Sequence, residues 1–365
     1  MLQNFHRGRR RATAGAGLCL AAIGLTGAFS AHAAEQELRV SGREHVVLRT
    51  FIGSVQVAEA PGSEYLIRVH TPRPGIVAEA RREGREVVLR WPADVDTIHS
   101  PSAPDLGDWF MKAKAGYDGH RYVLRRGEAD YTADVTVLVP RGARLVVDQA
   151  FGPVSATAVR AGLRLETGLG SVTVERSRGG LVVETGASDV VVRGHEGEVK
   201  AETGAGDVVF EGNSGQQSAE TGSGDVRVKG GQGSVVAETG SGDVLVDGFA
   251  GDLSAETGSG SVAMSSLSQT RRVKADTGSG NVSLQGDLAA LEALDVDTGS
   301  GSVSAQSATL PSLRLKVGTG SGDISVGGQA RLERSGDDGE VILGAGANRG
   351  SIGTGSGDIR VTVGT

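Results

Sequence analysis

Hydrophobic and polar residues alternate one by one in short runs along most of the chain. Between positions 225 and 229, Val226 and Val228 lie on one side of an extended chain, and Arg227 and Lys229 lie on the other. A period of two is typical of a strand with one buried face. The equivalent apolar positions of the following run are Val244 and Val246. We therefore expect these four valines to face a common core.

A second alternating run precedes each glycine-rich turn and ends in a glutamate. Its predicted inward positions are Val199 and Ala201, Val235 and Ala237, and Leu253 and Ala255. Its predicted outward positions are Lys200, Val236 and Ser254, followed by Glu202, Glu238 and Glu256. Gln217 breaks the rule, so we expect one inward polar side chain that needs a hydrogen-bonding partner. Each unit thus contains two short strands and two turns.

These runs form an internal repeat. A phrase close to A-E-T-G-S-G-D-V returns every 18 residues between positions 165 and 248, and a short regular period is typical of a solenoid. The aliphatic residue after each turn marks twelve units, which are Val154, Val172, Val190, Val208, Val226, Val244, Val262, Val282, Val303, Ile324, Val341 and Ile359. Val341 is included because it divides a 35-residue gap into two nearly normal steps. Three longer steps contain 265–272, 286–294 and 305–313, which we interpret as bulges or short loops.

The turns between strands carry a recognisable chemistry. Gly222 and Gly224 are expected to adopt positive φ at a tight corner. Thr221 and Asp225 are expected to bond to backbone amides within that corner. Identical residues would then stack at roughly 4.8 Å, the spacing of neighbouring strands.

The sequence therefore predicts an all-β, single-chain β-solenoid, similar to a β-helix or β-roll, of about twelve coils with a β-rich N-terminal cap. The competing interpretation is an antiparallel meander in which each T-G-S-G-D is a hairpin turn. The expected organisation is a signal peptide at 1–33, a cap region at 34–147 with an aromatic insertion near 92–120, and the repeat domain at 148–365.

The first 33 residues resemble an export signal. Four arginines precede an apolar stretch at 14–29, and Ala31-His-Ala33 fits a cleavage site. A retained membrane anchor is the alternative, but the apolar run is short for a span. Cys19 follows Leu18 rather than a small residue, so a lipoprotein signal is not favoured. We expect an exported protein of the periplasm, the cell surface or the medium, with no membrane span in the mature chain.

Charge and composition narrow the class further. The chain carries a formal net charge of −7, and removal of the four arginines at 1–33 would make it −11. An acidic chain is a poor ligand for nucleic acid or an anionic membrane surface. Glycine is abundant, at 58 of 365 residues, but it recurs periodically and so indicates turns rather than disorder.

The region before the repeats has a different residue pattern. It contains strand-like runs, and Phe51-Ile-Gly-Ser-Val55 echoes the later turns as an outlying coil. Its insertion contains Trp109, Phe110 and Tyr117 in a chain with only 4% aromatic residues. Either these rings pack over the end of the cap, or they form a contact loop for a glycan or protein partner.

These features together resemble the bacterial putative-adhesin family of β-strand-repeat proteins, a domain of unknown function. The resemblance rests on the export signal, the approach from Tyr131 to Val139-Pro-Arg-Gly142, the T-G-S-G-D-V units and the ending Gly353-Thr-Gly-Ser-Gly-Asp-Ile-Arg-Val361. It covers roughly 38–363 and implies a repeat architecture. It brings no catalytic residue or cofactor with it.

No catalytic constellation is apparent from the residues themselves. His195 is alone in the repeats and is expected at the surface, and no histidine or cysteine spacing predicts a metal site. The turn lacks the lysine of a phosphate-binding loop. Stacked acids at Asp207, Asp225 and Asp243 could attract calcium, but we expect the aspartates to bond to their own turns and the protein to fold without metal or cofactor.

The sequence thus predicts a non-enzymatic exported module that acts as an adhesin or an envelope scaffold, with an unknown protein or glycan of the cell envelope as partner. One alternative is a polysaccharide-active enzyme, because β-helices with paired acids cleave carbohydrates. Another is a periplasmic component of envelope-stress signalling.

Overall fold

The computed structural model describes residues 34–41, 45–81, 85–101, 114–117, 120–335 and 338–364. Every regular element in these ranges is a β-strand. The predicted export signal, Trp109 and Phe110 lie outside the described residues.

The strands before the main stack and at its start are β1 (Ala34–Ser41), β2 (His45–Glu59), β3 (Glu64–Thr71), β4 (Val77–Arg81), β5 (Glu86–Arg90), β6 (Thr97–Ser100), β7 (Lys114–Tyr117), β8 (His120–Arg126) and β9 (Ala133–Val139). The next strands are β10 (Arg144–Phe151), β11 (Val154–Thr157), β12 (Gly162–Leu169), β13 (Val172–Glu175), β14 (Leu181–Thr185), β15 (Val190–Arg193), β16 (Val199–Thr203), β17 (Val208–Glu211) and β18 (Ser214–Thr221). They are followed by β19 (Val226–Lys229), β20 (Gln232–Thr239), β21 (Val244–Asp247), β22 (Ala250–Thr257), β23 (Val262–Leu267), β24 (Arg272–Thr277), β25 (Val282–Gly286), β26 (Ala293–Thr298) and β27 (Val303–Ser307). The last are β28 (Leu313–Thr319), β29 (Ile324–Gly328), β30 (Arg331–Ser335), β31 (Asp338–Leu343), β32 (Asn348–Thr354) and β33 (Ile359–Val363).

The middle of the chain is a parallel stack of coils with two faces. We call face A the sheet that contains β11, β13 and the odd-numbered strands up to β27, and face B the sheet that contains β10, β12 and the even-numbered strands up to β26. Each strand pairs in parallel with its equivalent in the next coil, so that Val226 lies beside Val244 and Glu220 beside Glu238. The predicted solenoid is confirmed, and the antiparallel meander is wrong for these repeats.

The core lies between the two faces, as the alternation predicts. Val226 and Val244 are fully buried, and Val228 and Val246 are each 2% exposed. Gln217 also points inward, beside Val199 and Val235 on face B. It is 4% exposed, and neither its amide oxygen nor its amide nitrogen has a hydrogen-bonding partner among the described residues. The inward position was predicted, but the structure supplies no partner.

The longer units accommodate their extra residues outside the regular ladder. Between β23 and β25 the register shifts between Met264 and Leu267, so the bulge predicted at 265–272 is confirmed. Ser266 and Gln269 adopt positive φ there. In the next unit, Leu288 and Leu291 of the inserted segment return to the core and are buried.

The N-terminal end of the stack is closed by a coil that is out of chain order. β2 pairs in parallel with β10 on face B and with β11 on face A, which confirms the outlying coil predicted at 51–55. On its other side β2 pairs in parallel with β5 and β9. The antiparallel strands β4, β3 and β1 complete this end. A separate sheet of β6, β8 and β7 begins after β5 in the chain.

At the C-terminal end the units do not stack in chain order, so the linear order predicted from the sequence is wrong there. β32 and β33 lie directly against β26 and β27, and β28 and β29 lie beyond them. β31, which contains Val341, is antiparallel to β28 and forms a hairpin with β30 instead of a coil. The prediction failed because all units present the same inward valines and glycine corners, so the sequence pattern cannot distinguish which unit stacks on which.

Candidate functional site

The T-G-S-G-D corner is held by a buried threonine. The Thr221 hydroxyl donates a hydrogen bond to the Gly206 carbonyl of the preceding coil (2.8 Å) and accepts one from the Gly224 amide of its own coil (3.1 Å). Thr239 and Thr257 repeat both bonds in the following coils. The corner therefore connects neighbouring coils as well as shaping the turn.

The aspartate that ends each corner bonds to a different coil. The Asp225 amide donates to Asp207 Oδ1 (2.9 Å), and the Asp243 amide donates to Asp225 Oδ1 (2.8 Å). The expectation that each aspartate bonds within its own turn is wrong, because its partner amide lies 18 residues further on. Serine and asparagine perform the same task at Ser261 and Asn281. The carboxylates thus connect one coil to the next.

The two glycines of the corner serve close packing rather than positive φ. Neither Gly222 nor Gly224 is among the residues with positive φ, so that prediction is wrong. A methyl group on Gly222 would lie 2.4 Å from the Gly204 carbonyl oxygen, and one on Gly224 would lie 2.0 Å from that of Gly206. Glycine is needed here because successive backbones approach too closely for a side chain.

Arginine neutralises part of the aspartate column. Arg227 on face A forms ion pairs with both Asp207 and Asp225, the latter at 2.6 Å. The Asp225 amide and, after it, the Arg227 guanidinium lower the pKa of the Asp207 carboxyl, against the opposing effect of burial. Both contacts favour the ionised form of Asp207.

A second acidic column runs along the outer side of face B. Its members are Glu166, Glu184, Glu202, Glu220, Glu238, Glu256, Asp276 and Asp297, each beside the next in register. Its first three members are paired, Glu166 and Glu184 with Arg164 and Glu202 with Lys200.

The later members of this column line an open groove of about 360 Å³. Glu220, Glu238, Glu256 and Asp276 contribute carboxylates to it, and the adjoining threonine and glycine corners form its other wall. Within the described chain these four residues form no ion pair. We call this group the groove acids. They concentrate negative charge at one place on the stack, and Lys200 interacts with Glu220 electrostatically without forming an ion pair.

The matching column on face A is built differently. Glu175, Arg193, Glu211, Lys229 and Asp247 alternate in sign from coil to coil. Arg193 pairs with Glu211 at 2.7 Å and with Glu175 at 3.7 Å. The contrast shows that the like charges on face B do not follow from the stacking itself.

His195 is buried, contrary to the prediction of a surface residue. It is 2% exposed at the corner between faces A and B, with Nε2 2.9 Å from the Gly179 carbonyl oxygen. Its amide donates to Asn213 Oδ1 in the next coil (2.8 Å). Burial lowers the pKa of the imidazole, although the Gly179 and Glu198 carbonyls oppose the shift. The ring is an internal part of the stack and is remote from solvent.

Tyr117 belongs to an aromatic cluster at the N-terminal end. Its ring stacks on Phe51 with centroids 5.2 Å apart and meets Trp91 edge-on at 5.5 Å. Its hydroxyl donates to the Arg49 carbonyl (3.0 Å). Tyr122 and Phe151 complete the cluster around Phe51. The sequence singled out Tyr117 but gave no signal that it would meet Phe51, which is 66 residues away.

Family comparison classifies this architecture. Two overlapping segments, 131–267 and 247–364, match the family model described as Toastrack DUF4097, and together they span well over half of the chain. The chain belongs to the Toastrack DUF4097 family. The resemblance to a family of β-strand-repeat proteins of unknown function is thereby confirmed. No curated protein matches the chain.

Three solved structures are similar to this Toastrack chain at low sequence identity. A "putative cell adhesion protein" of Clostridium sporogenes is 10% identical over 91% of this chain and 99% of its own, with a TM-score of 0.20. A "putative adhesin" of Bacteroides fragilis is 11% identical over 91% and 98%, with a TM-score of 0.31. A "putative lipid binding protein" of Parabacteroides distasonis is 12% identical over 90% and 96%, with a TM-score of 0.27. At such TM-scores these likenesses carry no conclusion about function.

Two further observations concern the described part of the Toastrack chain. It contains no group of three or more histidine, cysteine, aspartate or glutamate side chains placed to hold a metal ion. It also contains no helix long and apolar enough to cross a membrane. Two of the groove acids, Glu238 and Glu256, were predicted at outward strand positions, but the groove they line was not predicted, because its wall depends on how the corners project beside face B.

Proposed function

We propose that this protein is an exported, non-enzymatic binding module of the cell envelope that presents the groove acids to a cationic surface of its partner. The observation that carries the proposal is the run of four groove acids in one groove, without an ion pair in the described chain. Strand pairing sets neighbouring members roughly 4.8 Å apart, and like charges directly opposite one another repel. A cationic segment of an envelope protein or an amino-sugar polymer would relieve that repulsion.

The corners support this function because they make the surface rigid. Thr239 and Thr257, which line the groove, are each bonded to the preceding coil at 2.8 Å. A preorganised binding surface loses little conformational entropy when a partner binds. The contact surface is therefore ready before the partner arrives.

The proposal includes export of the protein and the domain organisation predicted from the sequence. The basic and apolar segment at 1–33 supports delivery to the envelope and removal of that segment. The insertion that holds Trp109, Phe110 and Tyr117 would then provide a second contact at the N-terminal end. Tyr117 is only half-buried in its cluster, which leaves part of its ring for such a contact.

The test is a pull-down from intact cells with a charge-neutral groove. The triple variant Glu220→Gln, Glu238→Gln and Glu256→Gln removes three groove charges. The matched control Glu175→Gln, Glu211→Gln and Asp247→Asn removes three charges from the alternating column of face A. We expect the wild-type and control chains to retain the partner and the groove variant to lose it at physiological salt.

Two results would contradict the proposal. Equal loss of the partner by both variants would mean that only net charge matters. Turnover of an envelope or plant polysaccharide, abolished by Glu238→Gln, would make the chain an enzyme. Capture of an envelope-stress receptor through the groove would instead identify the partner class as a signalling protein.

A further inference from the structure

Arginines gather on one edge of the stack near its N-terminal end. We call the turn that leads from face A to face B the second corner, because it lies opposite the T-G-S-G-D corner. The second corners after β9, β11 and β13, together with the start of β10, carry five exposed arginines in a chain whose net charge is −7. We call this group the arginine corner, and its members are Arg141, Arg144, Arg160, Arg176 and Arg178.

Backbone pairing holds the arginine corner together. The Gly142 amide donates to the Arg160 carbonyl (2.7 Å), and Arg160 and Arg178 are partners in a parallel bridge. Their side chains reach in opposite directions, because Arg160 pairs with Glu59 at 3.5 Å in the coil before it and Arg178 pairs with Glu196 in the coil after it. These side chains are 51% and 62% exposed. Such exposed ion pairs contribute little to stability, so a ligand can replace them at small cost.

Two members of the arginine corner have no carboxylate partner. Within the described part of the chain, Arg141 and Arg144 form no ion pair. The Arg144 side chain leans over the next coil, because a methyl group on Gly162 would lie 3.3 Å from its Cγ. Gly162 follows Arg160 by two residues, so Arg144 lies beside the next second corner. Guanidinium groups bind carboxylate, sulfate and phosphate oxygens through paired hydrogen bonds.

Arg176 is held in a strained backbone conformation. Its φ is +49°, whereas the equivalent positions of the following coils are all glycine. A left-handed conformation is unfavourable for a residue with a side chain. The Arg176 side chain is 71% exposed, and its contact with Glu175 is long, at 3.8 Å. Neither burial nor a close ion pair offsets the strain, and strain of this kind collects at functional sites.

The arginine corner is narrow, which limits the shape of its ligand. On face B an acidic column begins at Asp148, four residues after Arg144, and continues with Glu166 and Glu184. On face A, Glu175 lies directly before the corner. A flat anionic membrane would place its headgroups against these carboxylates as well. A linear polyanion along the convex corner would meet arginines in successive coils, roughly 4.8 Å apart.

The composition of the corner distinguishes between linear polyanions. Proteins that bind single-stranded nucleic acid stack its bases on aromatic side chains. The segments 140–144, 158–162 and 176–180 contain no aromatic residue. A polysaccharide with charged substituents needs no stacking surface, and its oxygens suit guanidinium groups.

We propose that the arginine corner binds a linear anionic polysaccharide that lies along the stack. Arg160 and Arg178 exchange their exposed carboxylate partners for those of the ligand, and the other three arginines extend the contact. The groove acids lie at the opposite corner and several coils away. One molecule thus holds an anionic polymer at one edge and a cationic partner at the other, and the two sites act independently.

Calorimetric titration of the full chain tests this binding. The probes are alginate, which carries carboxylates, dextran sulfate, which carries sulfates, and neutral dextran. We expect the two anionic polymers to bind and neutral dextran not to bind. The triple variant Arg144→Gln, Arg160→Gln and Arg178→Gln should weaken the binding of both by about tenfold, since it removes three exposed charged contacts.

The matched control removes the same charge from the C-terminal part of the stack. Its changes are Arg271→Gln, Arg314→Gln and Arg360→Gln. Two of these arginines form exposed ion pairs, with Glu292 and Glu340, and the third is exposed. We expect this variant to bind both polymers as the wild-type chain does.

Arg176→Gly separates a binding role from a structural one. Glycine relieves the strain, so we expect a higher melting temperature together with binding weakened by about threefold. Ala158→Gly is the control, because Ala158 has a φ of +54° in the preceding coil and carries no charge. It should raise the melting temperature and leave binding unchanged. A gain in stability without a loss of binding in Arg176→Gly would contradict the role of the strain.

Three results would overturn the proposal. The first is no binding of either anionic polymer by the wild-type chain. The second is equal weakening in the corner and control variants, which would mean that only net charge matters. The third is tighter binding of phosphatidylglycerol vesicles or single-stranded DNA that is lost in the corner variant, which would assign the corner to that class of ligand. The variant with neutral groove acids should bind alginate normally, so this proposal and the proposed function fail separately.

Discussion

The two corners of each coil use glycine for opposite reasons. At the T-G-S-G-D corner, Gly224 has no positive φ, but a side chain would meet the Gly206 carbonyl at 2.0 Å. At the other corner, Gly230 has a φ of +62°, and a side chain would meet nothing within 4 Å. The first glycine permits close stacking, and the second permits a backbone conformation. Two glycines of one repeat are therefore required for different reasons, and substitutions at each can distinguish these reasons.

The largest effect is expected from Gly224→Ala. The added methyl group clashes with a backbone oxygen that cannot move unless the coils separate. We therefore expect the free energy of unfolding to fall by about 3 kcal/mol, the upper end of the cost of overpacking. The matched control, Gly230→Ala, keeps open space and meets only the cost of a left-handed conformation, about 1 kcal/mol. Urea unfolding followed by circular dichroism measures both. A larger loss for Gly230→Ala would invert the comparison.

The next effect concerns the threonine at the close-packed corner. Thr221→Val conserves shape but removes the hydroxyl that bonds Gly206 and Gly224. The Gly206 carbonyl and the Gly224 amide would both lose their partner, which should lower the free energy of unfolding by about 2 kcal/mol. Thr221→Ser retains the hydroxyl and should cost less. If the valine variant melts at the same temperature as the serine variant, the threonine bonds do not hold the coils together.

The opposite corner should be the pH-sensitive one, because it contains His195. Burial holds the folded pKa below the ordinary value of 6.5, so the unfolded chain takes up the proton first as the pH falls. Stability is therefore complete above pH 6.5 and declines below it until the folded pKa is reached, by at most about 1.4 kcal/mol for each pH unit. His195→Asn, which copies Asn213 in the next coil, should remove this part of the decline. Melting curves of both chains between about pH 7 and pH 5 provide the measurement. If stability declines with the same slope in both chains, His195 is not the source of the pH dependence.

The smallest effect is expected from Asp225→Asn. The amide oxygen can still accept from the Asp243 amide, and only the exposed pair with Arg227 is lost, which is worth a few tenths of a kcal/mol, about the value of a surface ion pair. Melting should be compared in chelator, in millimolar calcium and in sodium chloride of equal ionic strength. We expect no calcium-specific rise. A large rise that disappears in Asp225→Asn would identify the corner aspartates as metal ligands.

Periodicity predicted the interior well because burial and alternation are local. Val226, Val228, Val244 and Val246 follow directly from a period of two. The corner aspartates and glycines were identified as important residues with the wrong contacts, because a pattern within one unit does not show that Asp225 reaches Asp243. Stacking contacts between units were visible only in the structure.

The failures share a physical cause. His195 lies in a polar turn sequence, yet its corner column also contains buried Asn213 and Phe249, so the inward direction was hidden by varied residue types. Val341 matched the period but pairs with Leu315 in an antiparallel ladder. Alternation reports that a residue is buried, but it does not report strand direction or order along the stack.

The strict 18-residue register of the middle coils also has an evolutionary consequence. Removing 226–243 would join Asp225 to Val244, and every remaining strand would meet a neighbour of the same type. The gene can therefore gain or lose one repeat by unequal recombination without a change of reading frame or of packing. Each such event would shorten or lengthen the rod by one strand spacing, about 4.8 Å. The distance that this protein spans is thus a quantity that selection can adjust in small equal steps, while the closing coils at both ends stay unchanged.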